Sequence, residues 1–251
     1  MIKIMLNKNV DLEDYTFLEG FPGVGLVGAM SISYIIEKLE MQYIGYLESK
    51  EFPPLISIHE TIPMPPVRIY ISEKYKLISI FAEFSIPIEL TYELADEIFQ
   101  FIKDQKISKI ISISGIPINK NANENELDEN NVFFVASDKK LVKQIENSEI
   151  KPISEGISSG INALLLFKAL SNNIDAINIL IPIDPVVINP KYAESAIKTI
   201  NKLLELNIDT QELTKEAKDA SSKIQTIIKK GKETHKQLKK AIDEAEPSMY
   251  E

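Results

Sequence analysis

A glycine-rich turn between a strand pattern and a helix pattern is the feature that most constrains the fold. Residues Tyr15 to Glu19 have a short strand pattern, and apolar residues recur at helical spacing from Ala29 to Leu39. Between them lies Gly20-Phe21-Pro22-Gly23-Val24-Gly25-Leu26-Val27-Gly28. Glycine accepts close backbone approaches, and proline fixes a turn. The segment predicts a helix packed closely on a sheet, and its structural turn residues are Gly20, Pro22, Gly23, Gly25 and Gly28.

The same turn has a second interpretation as a nucleotide-binding loop. Residues Gly23 to Gly28 match G-x-G-x-x-G, and Glu48 lies 20 residues after Gly28, where a ribose-binding acid is expected. A dinucleotide-binding fold would continue with alternating strands and helices. Here a β-rich segment with several prolines follows instead, so the packing interpretation is favoured.

The remaining pattern predicts an α/β fold. Strand patterns between Tyr43 and Phe81 are separated by prolines, which predicts an antiparallel meander or a sheet edge. After residue 89, helix patterns alternate with apolar strands, which predicts βαβ units. We therefore predict a mixed, largely parallel sheet flanked by helices, of the phosphorylase/hydrolase-like kind. The polar segment Asn119 to Asn131 predicts an exposed loop.

Composition excludes several classes of site. The formal net charge is −9, and the acidic excess lies in residues 1–206, so nucleic-acid binding is not expected. With no cysteine and two distant histidines, His59 and His235, no metal or other cofactor is expected. No apolar run approaches the ~18 residues that span a bilayer, so we predict a soluble, cytoplasmic protein without membrane association.

The C-terminal segment has a different periodicity. From Leu213, small or apolar residues recur at steps of three and four up to Ala245, with an interruption at Gly231. A repeat of this length makes a seam that packs on a partner helix. We predict an α/β domain over residues 1–206, a helical extension over 207–246 that serves oligomerisation or tail presentation, and a free tail over 247–251.

The last three residues are Met249, Tyr250 and Glu251. Pro247 cannot continue the helix, so these residues are predicted to leave it as a free tail. Such a tail offers an apolar side chain, a phenol and the terminal carboxylate, and capture of a C-terminal carboxylate is a known mode of peptide recognition. The ending resembles the hydrophobic-Tyr-X tail with which proteasome activators and assembly chaperones dock into pockets between α subunits of the 20S ring.

The chain as a whole resembles the PAC2 family of proteasome assembly chaperones, in particular its archaeal members. The matching segments are Gly20 to Gly28, Ile113-Ser114-Gly115, Gly156 to Leu166, Asp184-Pro185, Ala193 to Ala196 and Leu203 to Asp209. The resemblance implies an α/β domain related in architecture to nucleoside phosphorylases but without their activity. It also implies an oligomer that helps proteasome α subunits assemble, and a homologous PAC2 protein is a further candidate partner.

The leading hypothesis is therefore a non-enzymatic, ATP-independent factor that binds the 20S proteasome as an assembly chaperone, an activator or both. The alternative is an enzyme or sensor that binds a nucleoside or nucleotide at residues 23–28. Glu83, Glu89 and Asp184 would supply polar contacts in that case. No nucleophile–base pair or metal-ligand set accompanies them in the sequence.

Overall fold

Strands and helices alternate along most of the chain. The computed structural model describes residues 1–118, 131–145 and 150–213. The strands are β1 (Lys3–Leu6), β2 (Thr16–Gly20), β3 (Gln42–Glu48), β4 (Ser57–His59), β5 (Ile62–Met64), β6 (Val67–Ser72), β7 (Leu77–Ala82), β8 (Lys109–Pro117), β9 (Phe133–Ala136), β10 (Lys151–Pro152) and β11 (Asp175–Ile183). The helices are α1 (Val27–Lys38), α2 (Thr91–Asp104), α3 (Lys139–Ile145), α4 (Ile161–Asn172) and α5 (Pro190–Leu203).

Within the described ranges, nine strands form one sheet in the order β1-β3-β6-β7-β2-β8-β11-β9-β10. The central strands β7, β2, β8 and β11 run parallel, as do β9 and β10. The other neighbours in this sheet pair antiparallel, and β4 pairs with β5 in a separate hairpin. The predicted mixed α/β fold and the antiparallel meander are confirmed, and the parallel pairing is concentrated at the centre of the sheet.

Helices cover both faces of the sheet and create two apolar layers. On one face, α1 and α5 pack with buried strand residues such as Leu18 and Ile111. On the other face, α2 and α4 pack with buried residues such as Phe17 and Ile110. Phe17 and Leu18 are consecutive in sequence, as are Ile110 and Ile111. They lie on opposite faces because successive residues of a strand point to opposite faces. The central strands are largely apolar on both faces because helices cover both faces, as expected of parallel strands.

Helix α1 lies so close to the sheet that its first turn tolerates no side chain at Gly28. A Cβ atom there would lie 2.7 Å from the Ile113 carbonyl oxygen of β8. At Gly20, a Cβ atom would lie 2.6 Å from the Ile32 Cβ atom of α1. A clash between a Cβ atom and a backbone carbonyl cannot be relieved by a rotamer change, so the position of α1 depends on Gly28.

The rest of the turn has a conformation of its own. Residues Val24–Leu26 form a 3-10 turn in which Gly25 has a φ of 69°, and a Cβ atom at Gly25 would lie 2.5 Å from the Ile183 Cδ1 atom. In contrast, a Cβ atom at Gly23 would meet no atom within 4 Å. The turn thus contains glycines that the fold requires and one that leaves space beside it.

Several short elements are not predicted by the sequence pattern. Among the described strands, β1 pairs only with β3 at the edge of the sheet, and its four residues alternate between exposed and partly exposed. Helix α3 has seven residues and buries only Leu141 and Ile145. Elements this short carry too few apolar positions for periodicity to identify them.

The chain beyond α5 returns to the body. Ile208 and Leu213 are buried in the apolar layer between α1 and α5. The Asn201 side chain accepts from the Ile208 amide at 3.1 Å and donates to its carbonyl at 2.9 Å, and the Tyr34 hydroxyl donates to the Asp209 carbonyl at 2.8 Å. Residues 214–246 of the predicted extension lie outside the described residues, as do residues 119–130 of the predicted loop, and the domain division remains a prediction.

No helix within residues 1–118, 131–145 and 150–213 is both long enough and apolar enough to cross a membrane.

We expect Gly28→Ala to destabilise the fold by about 1–3 kcal/mol or more, because the added methyl group overlaps a strand carbonyl. Gly23→Ala is the matched control, since Gly23 has open space and an extended backbone with φ −125°. Urea unfolding monitored by circular dichroism measures both changes. Equal unfolding free energies for the two variants would contradict the close-packing role of Gly28.

Candidate functional site

The predicted partner-binding residues Met249, Tyr250 and Glu251 lie outside the described residues, so their role stays a prediction. Among the described residues, the candidate site lies at the other feature that the sequence predicts, the glycine turn. A cavity of about 1010 Å³ lies beside this turn. It is formed at the carboxyl end of β8 and the middle of β11, next to the start of α4. Ligands of open α/β sheets bind at this edge, outside the carboxyl ends of the strands.

The residues of the turn divide between the cavity and the core. Pro22, Gly23 and Gly28 line the cavity. Gly20 and Gly25 instead approach Ile32 and Ile183. The turn therefore forms one wall of the cavity, while Gly20, Gly25 and Gly28 also allow close packing.

Three neutral polar side chains form the floor of the cavity, and we call Ser114, Asn162 and Asn178 the polar floor. The Asn162 Nδ2 atom donates to the Ser114 Oγ atom at 2.5 Å and to the Ile113 carbonyl at 3.3 Å. The Ser114 hydroxyl in turn donates to the Asn178 Oδ1 atom at 3.2 Å. This chain of hydrogen bonds fixes the orientation of both amides, with the Asn178 amide group at the cavity.

The start of α4 forms another part of the lining. Residues Ser158 to Asn162 all line the cavity, and Gly160, with φ 85°, supplies no side chain that caps the helix. The first amide groups of a helix have no acceptor within it, and together with the helix dipole they favour negative charge. Lys151 also lines the cavity.

A buried carboxyl group lies on β2 near the polar floor. Glu19 is fully buried, and its Oε1 atom accepts from the Phe21 amide at 2.8 Å. Ser112 of β8 is its direct neighbour across the sheet, and Asn178 of β11 is the neighbour of Ser112. Burial raises the pKa of Glu19 from 4.5 to about 8, although the Phe21 amide and the Ser112 hydroxyl oppose this shift. Glu19 is therefore protonated at neutral pH.

The acids considered for a nucleotide-binding loop do not gather at the turn. Glu48 ends β3, which is separated from β2 by β6 and β7. Glu89 is exposed in a 3-10 turn before α2. Asp184 follows β11, where its Oδ1 atom accepts from the Val186 amide at 3.1 Å. The ribose-binding role suggested for Glu48 is wrong in its geometry, because that role requires the strand adjacent to the glycine turn.

Glu83 belongs to a buried ion pair. Its Oε1 atom lies 2.9 Å from the Arg68 Nη2 atom and 3.0 Å from the His59 Nε2 atom. Arg68 also donates to the Pro65 carbonyl at 3.2 Å and lies over the Phe81 ring. These contacts fasten the β4–β5 hairpin to the sheet, so Glu83 and His59 have a structural role here.

In the part of the chain that the structure describes, no three His, Cys, Asp or Glu side chains are grouped so as to hold a metal ion.

The polar floor is not among the residues that the sequence predicts as a site. A signal exists, because Ser112, Ser114 and Asn178 interrupt strands that are otherwise apolar. A polar residue inside a strand buried on both faces needs a partner, which marks it for attention. The partner of Ser114 is Asn162, which lies 48 residues away in sequence, so only the tertiary structure brings them together.

We expect Glu19 to make stability decrease as the pH rises from about 4.5 to about 8. The unfolded state ionises Glu19 throughout this window while the folded state keeps it protonated, so the unfolding free energy falls by up to about 1.4 kcal/mol per pH unit. Glu19→Gln retains an acceptor for the Phe21 amide and should remove this slope. Urea unfolding at several pH values tests it, with Glu89→Gln as the exposed control; a slope in Glu19→Gln equal to that of the unmodified chain would contradict it.

Comparison with known proteins identifies the family. A family model described as PAC2 matches residues 17–228. The Methanocaldococcus jannaschii protein MJ0106 is 27% identical over 226 residues, which are 90% of this chain and 90% of that protein.

Solved structures have the same fold. Pyrococcus furiosus PbaA, an archaeal homolog of proteasome-assembly chaperone, gives a TM-score of 0.80 at 26% identity, over 95% of this chain and 100% of PbaA. Pyrococcus furiosus PbaB, an archaeal proteasome activator, gives a TM-score of 0.71 at 21% identity, over 90% of this chain and 98% of PbaB. Since the family model spans the chain from β2 to beyond α5, and the archaeal PbaA and PbaB structures are its neighbours, this protein belongs to the PAC2 family.

Proposed function

We propose that this protein is a cytoplasmic, non-enzymatic factor that binds the 20S proteasome and assists its assembly or activation. The observation that carries the proposal is the likeness to PbaA, which extends over nearly the whole of both chains at a TM-score of 0.80. A likeness of this extent covers the domain architecture as well as single motifs. The C-terminal sequence Met249-Tyr250-Glu251 supports the same partner by an independent route.

In the proposed mechanism, the last three residues dock into pockets between neighbouring α subunits. The terminal carboxylate of Glu251 pairs with a basic side chain of the pocket, which gives a charge-assisted hydrogen bond. The Tyr250 ring fills the groove between subunits while its hydroxyl remains hydrogen-bonded. Met249 adapts to the apolar rim because its side chain is flexible. The body takes no chemical part and serves to hold and present the tail.

Several linked tails would bind more strongly than one. Each docked tail raises the effective concentration of the next tail at a neighbouring pocket, so an oligomer binds where a single chain binds weakly. The small-residue seam from Ala217 to Ala245 is the proposed means of self-association, since Leu213, the first residue of the predicted seam, is buried in the body. A homologous PAC2 protein is a further candidate for co-assembly through the same seam.

We expect Tyr250→Ala, and a chain that lacks residues 249–251, to bind 20S particles at least about thirtyfold more weakly, because losing a buried aromatic anchor of an interface costs about 2 kcal/mol or more. Surface plasmon resonance on immobilised 20S particles measures the affinity. Tyr92→Ala is the matched control, since Tyr92 is 70% exposed on α2 of the body. Full affinity of both tail variants would remove the tail from the mechanism.

A shortened chain tests self-association separately. We expect light scattering to find fewer protomers per particle for a chain that ends at Leu213 than for the full chain. This end point keeps Ile208 and Leu213, which are buried against the body, so the domain retains its packing. An unchanged number of protomers would refute the role of the seam. Circular dichroism of the shortened chain verifies its fold.

A further inference from the structure

The cavity beside the glycine turn contains hydrogen-bonding groups that the fold leaves without partners. Asn178 is only 2% exposed and lines the cavity. Its Oδ1 atom accepts from Ser114, but its Nδ2 group has no acceptor among the residues that the structure describes. A donor that the protein leaves unpaired beside a cavity, on a side chain that is otherwise buried, is available to a bound acceptor. The Asn178 amide therefore points to a ligand acceptor in the cavity.

The neighbouring start of α4 adds further donors at the same place. Asn162 lies in the first turn of this 12-residue helix and belongs to the polar floor, so the helix start adjoins the Asn178 amide. Ser158 and Ser159 line the cavity beside it, and the lining also contains one basic and one acidic side chain, Lys151 and Glu155. A site rich in donors, with a helix N-terminus and a lysine, favours a phosphate group.

Much of the remaining wall is apolar. Phe21 lies on the side of the turn, and Phe133, Val135 and Leu180 lie on the side of β9 and β11. A volume of about 1010 Å³ is at the upper end of the range for small-molecule sites, which is about 300–1,000 Å³. Apolar walls of this extent match a flat ring system, whereas inorganic phosphate alone would leave most of the cavity unfilled.

We propose that the cavity binds a phosphorylated small molecule of the mononucleotide class. Its phosphate lies at the start of α4, where it accepts from the helix amides and the Asn178 amide and faces Lys151. Its ring system lies against Phe21 and the apolar strand residues. The site differs from a dinucleotide loop, because α4 and not α1 supplies the anion-binding amides and Gly25 packs against Ile183.

The proposal is independent of proteasome binding, because the cavity residues are separate in sequence from residues 249–251. A ligand at the polar floor would stabilise the body and the positions of α1 and α4, which border the cavity. Ligand binding and tail docking are measured by different experiments, so the failure of one does not decide the other.

Isothermal titration calorimetry with the full chain tests the proposal. The probes are AMP, GMP, CMP and UMP, together with the four corresponding nucleosides and inorganic phosphate. We expect at least one monophosphate to bind with a stoichiometry of one per chain. Its nucleoside and inorganic phosphate should each bind at least about tenfold more weakly, because each lacks one of the two groups that the site recognises.

Two variants locate the site. Asn178→Leu removes the free amide donor at similar volume and should weaken binding about tenfold or more. Gly23→Phe should abolish binding, because the ring projects from the turn into open space; no atom lies within 4 Å of a Cβ atom there. Asn172→Leu is the matched control, since it makes the same Asn-to-Leu change at the last residue of α4. The cavity lies at the first turn of that helix.

Three results would overturn the proposal. The first is no saturable binding of any monophosphate up to millimolar concentration. The second is undiminished binding by both Gly23→Phe and Asn178→Leu. The third is inorganic phosphate or a nucleoside binding as tightly as the monophosphate. Thermal unfolding without ligand accompanies each variant, and Gly23→Phe decides the outcome if Asn178→Leu does not fold.

Discussion

The structure depends on a contact in which a helix backbone reaches the backbone of a strand. Gly28 allows the first turn of α1 to approach the Ile113 carbonyl of β8 so closely that no side chain fits between them. Because of this contact, α1 lies flat on the parallel centre of the sheet, buried between the strands and α5. The turn that leads into α1 is thereby held over the carboxyl ends of the strands, where it becomes one wall of the cavity.

Polar residues on the opposite face of the same strands are the second organising feature. Glu19, Ser112 and Asn178 lie side by side on β2, β8 and β11, at the largely apolar centre of the sheet. Apolar residues at these positions would be buried equally well, and they would avoid the cost of desolvating polar groups. Burial keeps Glu19 protonated at neutral pH by raising its pKa, and the Asn178 amide keeps a free donor at the cavity. The free Asn178 donor has no evident benefit for stability, and the proposed binding site gives it a role.

The two proposed activities belong to different parts of the chain. The α/β body carries the likeness to PbaA and contains the cavity, while the proteasome-binding proposal also draws on the last three residues of the sequence. Residues 207–213 connect the parts, since Ile208 and Leu213 are buried in the body just before the seam begins. In the proposed function, the body holds the predicted extension, which presents the tail to the proteasome.

The sequence alone predicted the mixed α/β class, the longer helices, the central strands and the packing role of the glycine turn, because apolar periodicity and glycine are local signals. It also contained the family-specific segments and the terminal motif. It did not predict β1 or α3, which are too short to show a period, nor the distance of Glu48 from the turn, which depends on strand order. The polar floor was decided only by tertiary structure. Ser114, Asn162 and Asn178 come from three separate elements, and the sheet register and the packing of α4 bring their side chains within hydrogen-bonding distance.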